Sequence, residues 1–193
     1  MCVKGRAIGV GVDAPRQGDD AAGTEDEGRD GLDVDRRIME LNYFSVVALT
    51  KALLPHMLRV KGGRFVVVSS LMGLFGAKLR SAYSASKHAL HGFFETLEAE
   101  HHEDGIRVTM VCPGYVATNI AKNALRGDGS KHGILDEANA SGLDPTAAAA
   151  RILDAIYAGR AMTTPGGREV AGAYLKRFAP RILARVLRNA PAR

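Results

Sequence analysis

Cysteine is scarce in this sequence: its 193 residues include two, Cys2 and Cys112. Cys2 stands near a chain end and Cys112 in a strand-like apolar run, so no disulfide framework is indicated and the cytoplasm is the default compartment. Long apolar runs are missing as well. Nothing approaches the about 18 consecutive apolar residues of a membrane-spanning helix, and the N-terminus lacks the apolar stretch of a signal peptide. No histidine, cysteine or carboxylate spacing matches a metal site, because His101 and His102 adjoin on a helix and so point apart. No internal repeat is present. The basic C-terminal segment lacks the interleaved aromatics on which single-stranded nucleic acids stack, which argues against nucleic-acid binding.

Large apolar side chains are also nearly absent between Val12 and Gly31. Residues 1–31 hold seven glycines and seven acidic residues, a composition that buries too little surface to offset chain entropy. We therefore expect a mostly disordered leader. Gly9-Val10-Gly11-Val12-Asp13-Ala14 matches the pattern G-x-G-x-x-G/A, but that fingerprint needs a strand before it and a helix after it. Pro15-Arg16-Gln17-Gly18 makes no helix, so the match reads as chance.

What the chain does contain is enough apolar material, 46% of residues, for one soluble domain with a single core. Its formal charge of +5 is unevenly spread: residues 1–35 hold four basic and nine acidic side chains, residues 145–193 nine basic and two acidic. The centre of the chain is Gly62 to Lys87, GGRFVVVSSLMGLFGAKLRSAYSASK. Phe65–Val68, bounded by glycines, reads as a fully buried parallel strand. Ser70 then stands at its carboxyl end, the edge where open α/β sheets place their ligand crevice. Thirteen residues on, Tyr83 and Lys87 are spaced i, i+4 and share one helix face. The order strand, helix, strand, with Ile106–Val111 as the next strand, predicts an α/β fold with a parallel sheet.

The Tyr83–Lys87 pair has a chemical use. A tyrosine ordinarily titrates near ~10, and bringing it to about 7 takes roughly 4 kcal/mol of preference for the phenolate. One ammonium at roughly 4 Å, at an effective dielectric near 20, supplies about that much. Lys87 can thus make Tyr83 an acid or base at neutral pH, with Ser70 holding the same substrate oxygen. The plain alternative is a buried structural tyrosine beside a snorkelling lysine.

Ser70, Tyr83-Ser84-Ala85-Ser86-Lys87, and Pro113-Gly114-Tyr115-Val116-Ala117-Thr118 together resemble the Ser, YxxxK and PGxVxT motifs of the short-chain dehydrogenase/reductases. Asn42, 28 residues before Ser70, falls where that family keeps a fourth catalytic residue. The likeness runs from about Gly31 to Arg193, and its wording is similar to the dehydrogenase/reductase member-seven branch. The resemblance implies a three-layer Rossmann-like sheet and an NAD- or NADP-dependent oxidoreductase acting on an alcohol/ketone pair. In it Tyr83 is the acid/base, Lys87 lowers its pKa and holds the ribose, Ser70 orients the substrate oxygen, and Asn42 organises a proton relay. It further implies that Pro113, Gly114, Val116 and Thr118 join Tyr83 and Lys87 in holding the cofactor. A homodimer through the Asn42 and Tyr83 helices is implied too. An ordinary Pro-Gly turn would explain Pro113 and Gly114, but not Thr118.

The family's TGxxxGxG and NNAG motifs are absent, so the expected sheet is truncated at its N-terminus, with the catalytic half retained. Alternatives follow from that: an inactive member serving as a dimerisation or interaction module, or an incomplete gene model. The expected organisation is a leader over 1–31, a catalytic core over 32–173 and a basic amphipathic helix over 174–193. Within the core, a helix capped by Asp33 should run to about Leu58 and a second from about Ala82 to Glu103. A lid is expected over Asn119–Leu143, and a helix opened by Asp144-Pro145 should end near Gly159. A short last strand is expected at Arg168–Ala171. Apolar Ile120, Ala124, Leu125, Ile134 and Leu135 in the lid suggest an apolar carbonyl or alcohol substrate.

The final segment should be kinked at Pro180. Leu175, Phe178, Ala179, Ile182, Leu183, Val186 and Leu187 recur at helical spacing opposite Lys176, Arg177, Arg181, Arg185 and Arg188. This pattern suits peripheral contact with an anionic membrane surface or a place at the mouth of an apolar substrate channel, and equally a helix capping the core or a dimer contact.

Overall fold

A computed structural model describes residues 7–10, 32–117 and 141–190. Strand β1 (Ala7–Val10) comes first, then helix α1 (Leu32–Met39), a π turn (Glu40–Phe44) and helix α2 (Ser45–Arg59). Strand β2 (Gly63–Val68), a 3-10 turn (Leu71–Gly73), helix α3 (Ser81–Glu100) and strand β3 (Ile106–Val111) follow. The last described part holds α4 (Pro145–Tyr157), β4 (Met162–Thr163), a 3-10 turn (Arg168–Val170), α5 (Ala171–Phe178) and α6 (Pro180–Asn189).

All strand pairs are parallel, in the order β1-β2-β3-β4. The register sets Phe65 beside Val108 and Val67 beside Met110. Strand alternation sends those four to one face, where Leu90, Phe94 and Leu97 of α3 and Val46 and Met57 of α2 complete the core. Each such fully buried side chain contributes about 1.5–3 kcal/mol. Aromatic rings run through it in edge and tilted contacts, Tyr43 to Phe93 to Phe94 to Phe65. Val66, Thr109 and Val111 alternate to the other face and are buried as well, as a strand covered on both sides requires. Helix α4 packs against β3 and β4, and its buried residues are the small Ala148 and Ala155. Thr109 pairs its hydroxyl with Arg64 at 2.8 Å and the Arg160 carbonyl at 2.7 Å.

Both strands enter through glycine. Gly62 (φ 147°) and Gly105 (φ 81°) lie in backbone territory that side chains avoid, and a Cβ on Gly105 would come within 2.9 Å of the Lys61 carbonyl.

Several expectations are corrected. Ala7–Val10 is ordered as a strand inside the leader expected to be disordered; the rest of residues 1–31 lies outside the described residues. Gly9 pairs with Val66 within that strand, so the glycine pattern does not follow a strand, as a dinucleotide turn would. Helix α1 starts at Leu32, which leaves Asp33 in its first turn rather than at the cap, where a carboxylate still meets the positive end of the helix dipole. The strand expected at Arg168–Ala171 is instead a 3-10 turn, and the short strand lies earlier, at Met162–Thr163. There Ala161 and Thr163 carbonyls accept from Met110 and Cys112 N–H at 2.8 Å each. Pro180 separates two helices at Ala179 (φ −142°, ψ 59°) rather than kinking one. Asp144 caps α4 as expected, accepting from Ala147 N–H at 3.0 Å with Pro145 in the first turn.

Candidate active site at the carboxyl edge of the sheet

The ends of β2 and β3 are tied to each other and to the segments that follow. Ser69 N–H donates to the Val111 carbonyl at 2.7 Å and Leu71 N–H to the Pro113 carbonyl at 3.0 Å. Ser70, extended at φ −160°, caps the 3-10 turn by accepting from Met72 N–H at 3.2 Å. That bond uses one lone pair and leaves the half-buried hydroxyl its proton to donate outward.

Helix α3 packs against this turn and delivers Tyr83 and Lys87. The Lys87 ammonium donates to the Val68 carbonyl at 3.4 Å, two residues before Ser70. It also stands over the Tyr83 ring, 5.6 Å from the centroid, within cation–π range. Burial pushes Lys87 down from 10.5 to about 8, although the nearby Cys112 pulls the other way. Lys87 therefore still carries its charge at neutral pH.

Behind Lys87 lies a buried polar cluster. His91, one helical turn on, meets Ser69 Oγ at 3.2 Å and Cys112 Sγ at 3.6 Å through its Nε2, and Ser69 Oγ donates to the Lys87 carbonyl at 3.4 Å. Burial holds His91 below its ordinary value. It pushes the Cys112 thiol up from 9.0 to about 12, against the pull of Ser69 and Lys87. This cluster joins the ends of β2 and β3 to α3, one helical turn beyond Lys87. Gly73 closes it: a Cβ there would overlap Ser69 Oγ and sit 2.9 Å from His91 Nε2.

Asn42 is buried in the π turn, which packs against α3. Such turns interrupt the i to i−4 ladder and free backbone groups for other uses; here Ser45 N–H reaches back to the Glu40 carbonyl and Ser45 Oγ donates to Leu41 O. Pro113 and Gly114 turn the chain beside Ser70, and Gly114 N–H donates to the Pro165 carbonyl at 2.9 Å. Glu169 braces the turn with one carboxylate oxygen, accepting from Tyr115 and Gly167 N–H at 2.9 Å each. Val116 bridges to Leu143 through its neighbours, Leu143 N–H to Tyr115 O and Ala117 N–H to Leu143 O. That pattern turns Val116's own N–H to the opposite side.

Tyr83 and Lys87 thus meet the strand end that carries Ser70 and is tied to Pro113, and Asn42 lies on a turn packed against α3. Thr118 lies outside the described residues, as does the expected lid up to residue 140. The sequence reading missed Ser69, His91, Cys112 and Glu169. The i, i+4 spacing of Lys87 and His91 is a signal that would have found His91; nothing local marks Glu169. Among the described residues no group of side chains could hold a metal ion.

A family model described as short chain dehydrogenase matches residues 24–128, more than half of the chain. The chain belongs to the short-chain dehydrogenase family. It is 51% identical over 124 residues to the cattle (Bos taurus) dehydrogenase/reductase SDR family member 7B, a match covering 64% of this chain and 38% of that protein. The rat (Rattus norvegicus) member 7B is 42% identical over 157 residues, 81% of this chain and 48% of its own length. The short-chain dehydrogenase chain therefore spans less than half the length of these curated relatives. Among solved structures, a short-chain dehydrogenase from Streptomyces avermitilis superposes with a TM-score of 0.62 at 28% identity, covering 81% of this chain and 60% of that one. A Burkholderia cenocepacia short chain dehydrogenase in complex with NADP gives 0.65 at 22% identity, covering 84% and 62%; that likeness concerns the fold.

Proposed function

We propose that this chain carries the catalytic half of an NAD- or NADP-dependent oxidoreductase interconverting an apolar ketone and its alcohol. The observation that carries the reading is the placement of Lys87: buried, over the Tyr83 ring, and bonded to the strand end two residues from Ser70. In this reading the Tyr83 hydroxyl gives its proton to the carbonyl oxygen, or takes one from the alcohol. The Lys87 charge favours the phenolate that remains. Ser70 donates to the same oxygen and fixes its distance from Tyr83. Asn42, on the π turn against α3, would return the proton from solvent by way of Lys87.

The residues present suit the nicotinamide and ribose end of the cofactor. Lys87 has spare donors for a ribose diol, the outward N–H of Val116 suits a carboxamide, and Tyr83, Pro113, Gly114 and Thr118 would complete that binding edge. When bound, the cofactor supplies or accepts the hydride at the substrate carbon. Among the described residues no glycine-rich turn leads from a strand into a helix N-terminus for a pyrophosphate, so the reading covers the reacting end alone. Support for an apolar substrate comes from Val68 and Tyr115, 44% and 37% exposed at this edge, where each would lose water to a bound apolar group.

Calorimetric titration of the chain with NADH and NADPH tests the proposal, paired with turnover of an apolar ketone by the chain and by Tyr83→Phe. A micromolar constant, about 8 kcal/mol, and a roughly hundredfold to ten-thousandfold loss of turnover in Tyr83→Phe are expected. No binding at millimolar cofactor would overturn it and favour an interaction module.

A further inference from the structure

Helices α5 and α6 behave unlike the rest of the molecule. Each buries little: Leu183 is the one buried residue of α6, and α5 has none. They are nonetheless fastened to the domain. Gly172 meets the Phe75 ring closely enough that a Cβ would come within 2.6 Å of it, and the Lys78 ammonium donates to the Ala190 carbonyl at 2.8 Å.

Their outward side is apolar where water would be expected to select polar groups. Tyr174 and Phe178, one turn apart on α5, are 63% and 79% exposed; Ile182 and Val186, one turn apart on α6, are 57% and 51% exposed. On α6 the helical angle of 100° per residue sets these two between the buried Leu183 side and the side holding Arg181, Arg185 and Arg188. On α5 the same angle sets Arg177 beside Tyr174 and Phe178, and Lys176 on the opposite side. From Val170 to Ala190 there are five cations and no carboxylate.

We infer that the outer side of α5 and α6 docks the chain onto an anionic lipid surface. Tyr174, Phe178, Ile182 and Val186 would enter the acyl boundary and the flanking cations would meet lipid phosphates and carboxylates. An apolar strip rimmed by long cationic side chains suits such an interface, because the stems lie along the hydrocarbon while the charges stay at headgroup level. A second copy of this chain is a poorer occupant: its matching side would bring cations against cations with no carboxylate from the same segment to offset them. The inference concerns a different surface from the candidate active site and stands whether or not that site turns over.

Vesicle flotation of the full chain tests it, comparing phosphatidylcholine vesicles with phosphatidylcholine vesicles containing phosphatidylserine. Two double variants accompany it, Phe178→Ser with Ile182→Ser and Arg181→Ala with Arg185→Ala, each checked by circular dichroism. Because all four side chains are exposed, the variants keep the fold. Flotation with the anionic vesicles alone is expected, weakening with salt. It should fall about 30-fold on removing two arginines, at about 1 kcal/mol per cation, and be lost with the two serines. Equal recovery with both vesicle types, recovery with neither, or unchanged binding by the serine variant would overturn the proposal. A concentration-dependent dimer abolished by the serine variant would assign the surface to a second copy.

Discussion

At the carboxyl edge of the sheet, polar side chains are buried and partnered; on α5 and α6, apolar side chains are exposed and ringed by charge. Ser69, His91 and Cys112 give up water for one another, which is tolerable because each group finds a partner in a low-dielectric setting. Phe178 and Ile182 keep their water although apolar, which leaves a favourable transfer unused. Both arrangements depart from what folding alone favours, in opposite directions. Each departure sits where a function is proposed, the first for holding a reacting geometry and the second for meeting another phase.

The largest effect that would sharpen this contrast is expected for Lys87→Met. Folding lowers the proton affinity of Lys87, so between pH 8 and 10.5 the unfolded chain holds more protons and stability rises with pH. At neutral pH the same shift costs about 3 kcal/mol. Methionine fills similar volume without the charge, so the variant should be more stable by up to that amount at pH 7 while losing turnover. Its denaturant midpoint should also lose the upward slope. Cys112 works in the opposite sense: its thiol, pushed up from 9.0 to about 12, makes stability fall as pH rises above 9.0. The slope is therefore read between pH 8 and 9. A variant less stable at pH 7, with turnover intact, would make Lys87 a structural residue and dissolve the contrast.

A smaller effect is expected within the cluster itself. Gly73→Ala pushes a methyl into Ser69 and His91, whereas a Cβ on nearby Gly76 meets nothing within 4 Å. Thermal unfolding should show a loss of about 1–3 kcal/mol for Gly73→Ala, the usual cost of overpacking, and almost none for Gly76→Ala. Equal behaviour of the two would mean that the cluster is loose enough to yield, and that it does not hold α3 against β2.

Legibility in the sequence followed the range of the interactions. Strands β2 and β3, helix α3 and the capped α4 were readable because apolar runs, i, i+4 spacing and Asp144-Pro145 are local signals. Ser70, Tyr83, Lys87 and Pro113-Gly114 were readable because their spacing is itself the motif. His91 and Cys112 were not, since 21 residues separate them and only the packing of α3 against β3 brings them together. Glu169 was hidden more deeply, bonding Tyr115 from 54 residues away. Strand β1 was misread from the composition of residues 1–31, yet its four residues pair with β2 through backbone groups, which composition does not register. The strand expected at Arg168–Ala171 failed similarly, because pairing with β3 selects Met162–Thr163 by position rather than by propensity.

The smallest effect tests the other half of the contrast. Val186 is exposed on α6 beside buried Leu183, so Val186→Ser removes an apolar side chain that the fold leaves in water. Valine and serine have similar helix propensities, and a surface substitution away from caps and networks changes stability by within about 0.5 kcal/mol. The urea midpoint of the full chain should thus stay where it was, at low and high protein concentration alike. A loss above about 1 kcal/mol at high concentration alone would mean that a second copy covers Val186 in solution. A loss at every concentration would mean that the chain itself covers it. In either case the exposed strip would join the interior, and the two regions would follow one rule.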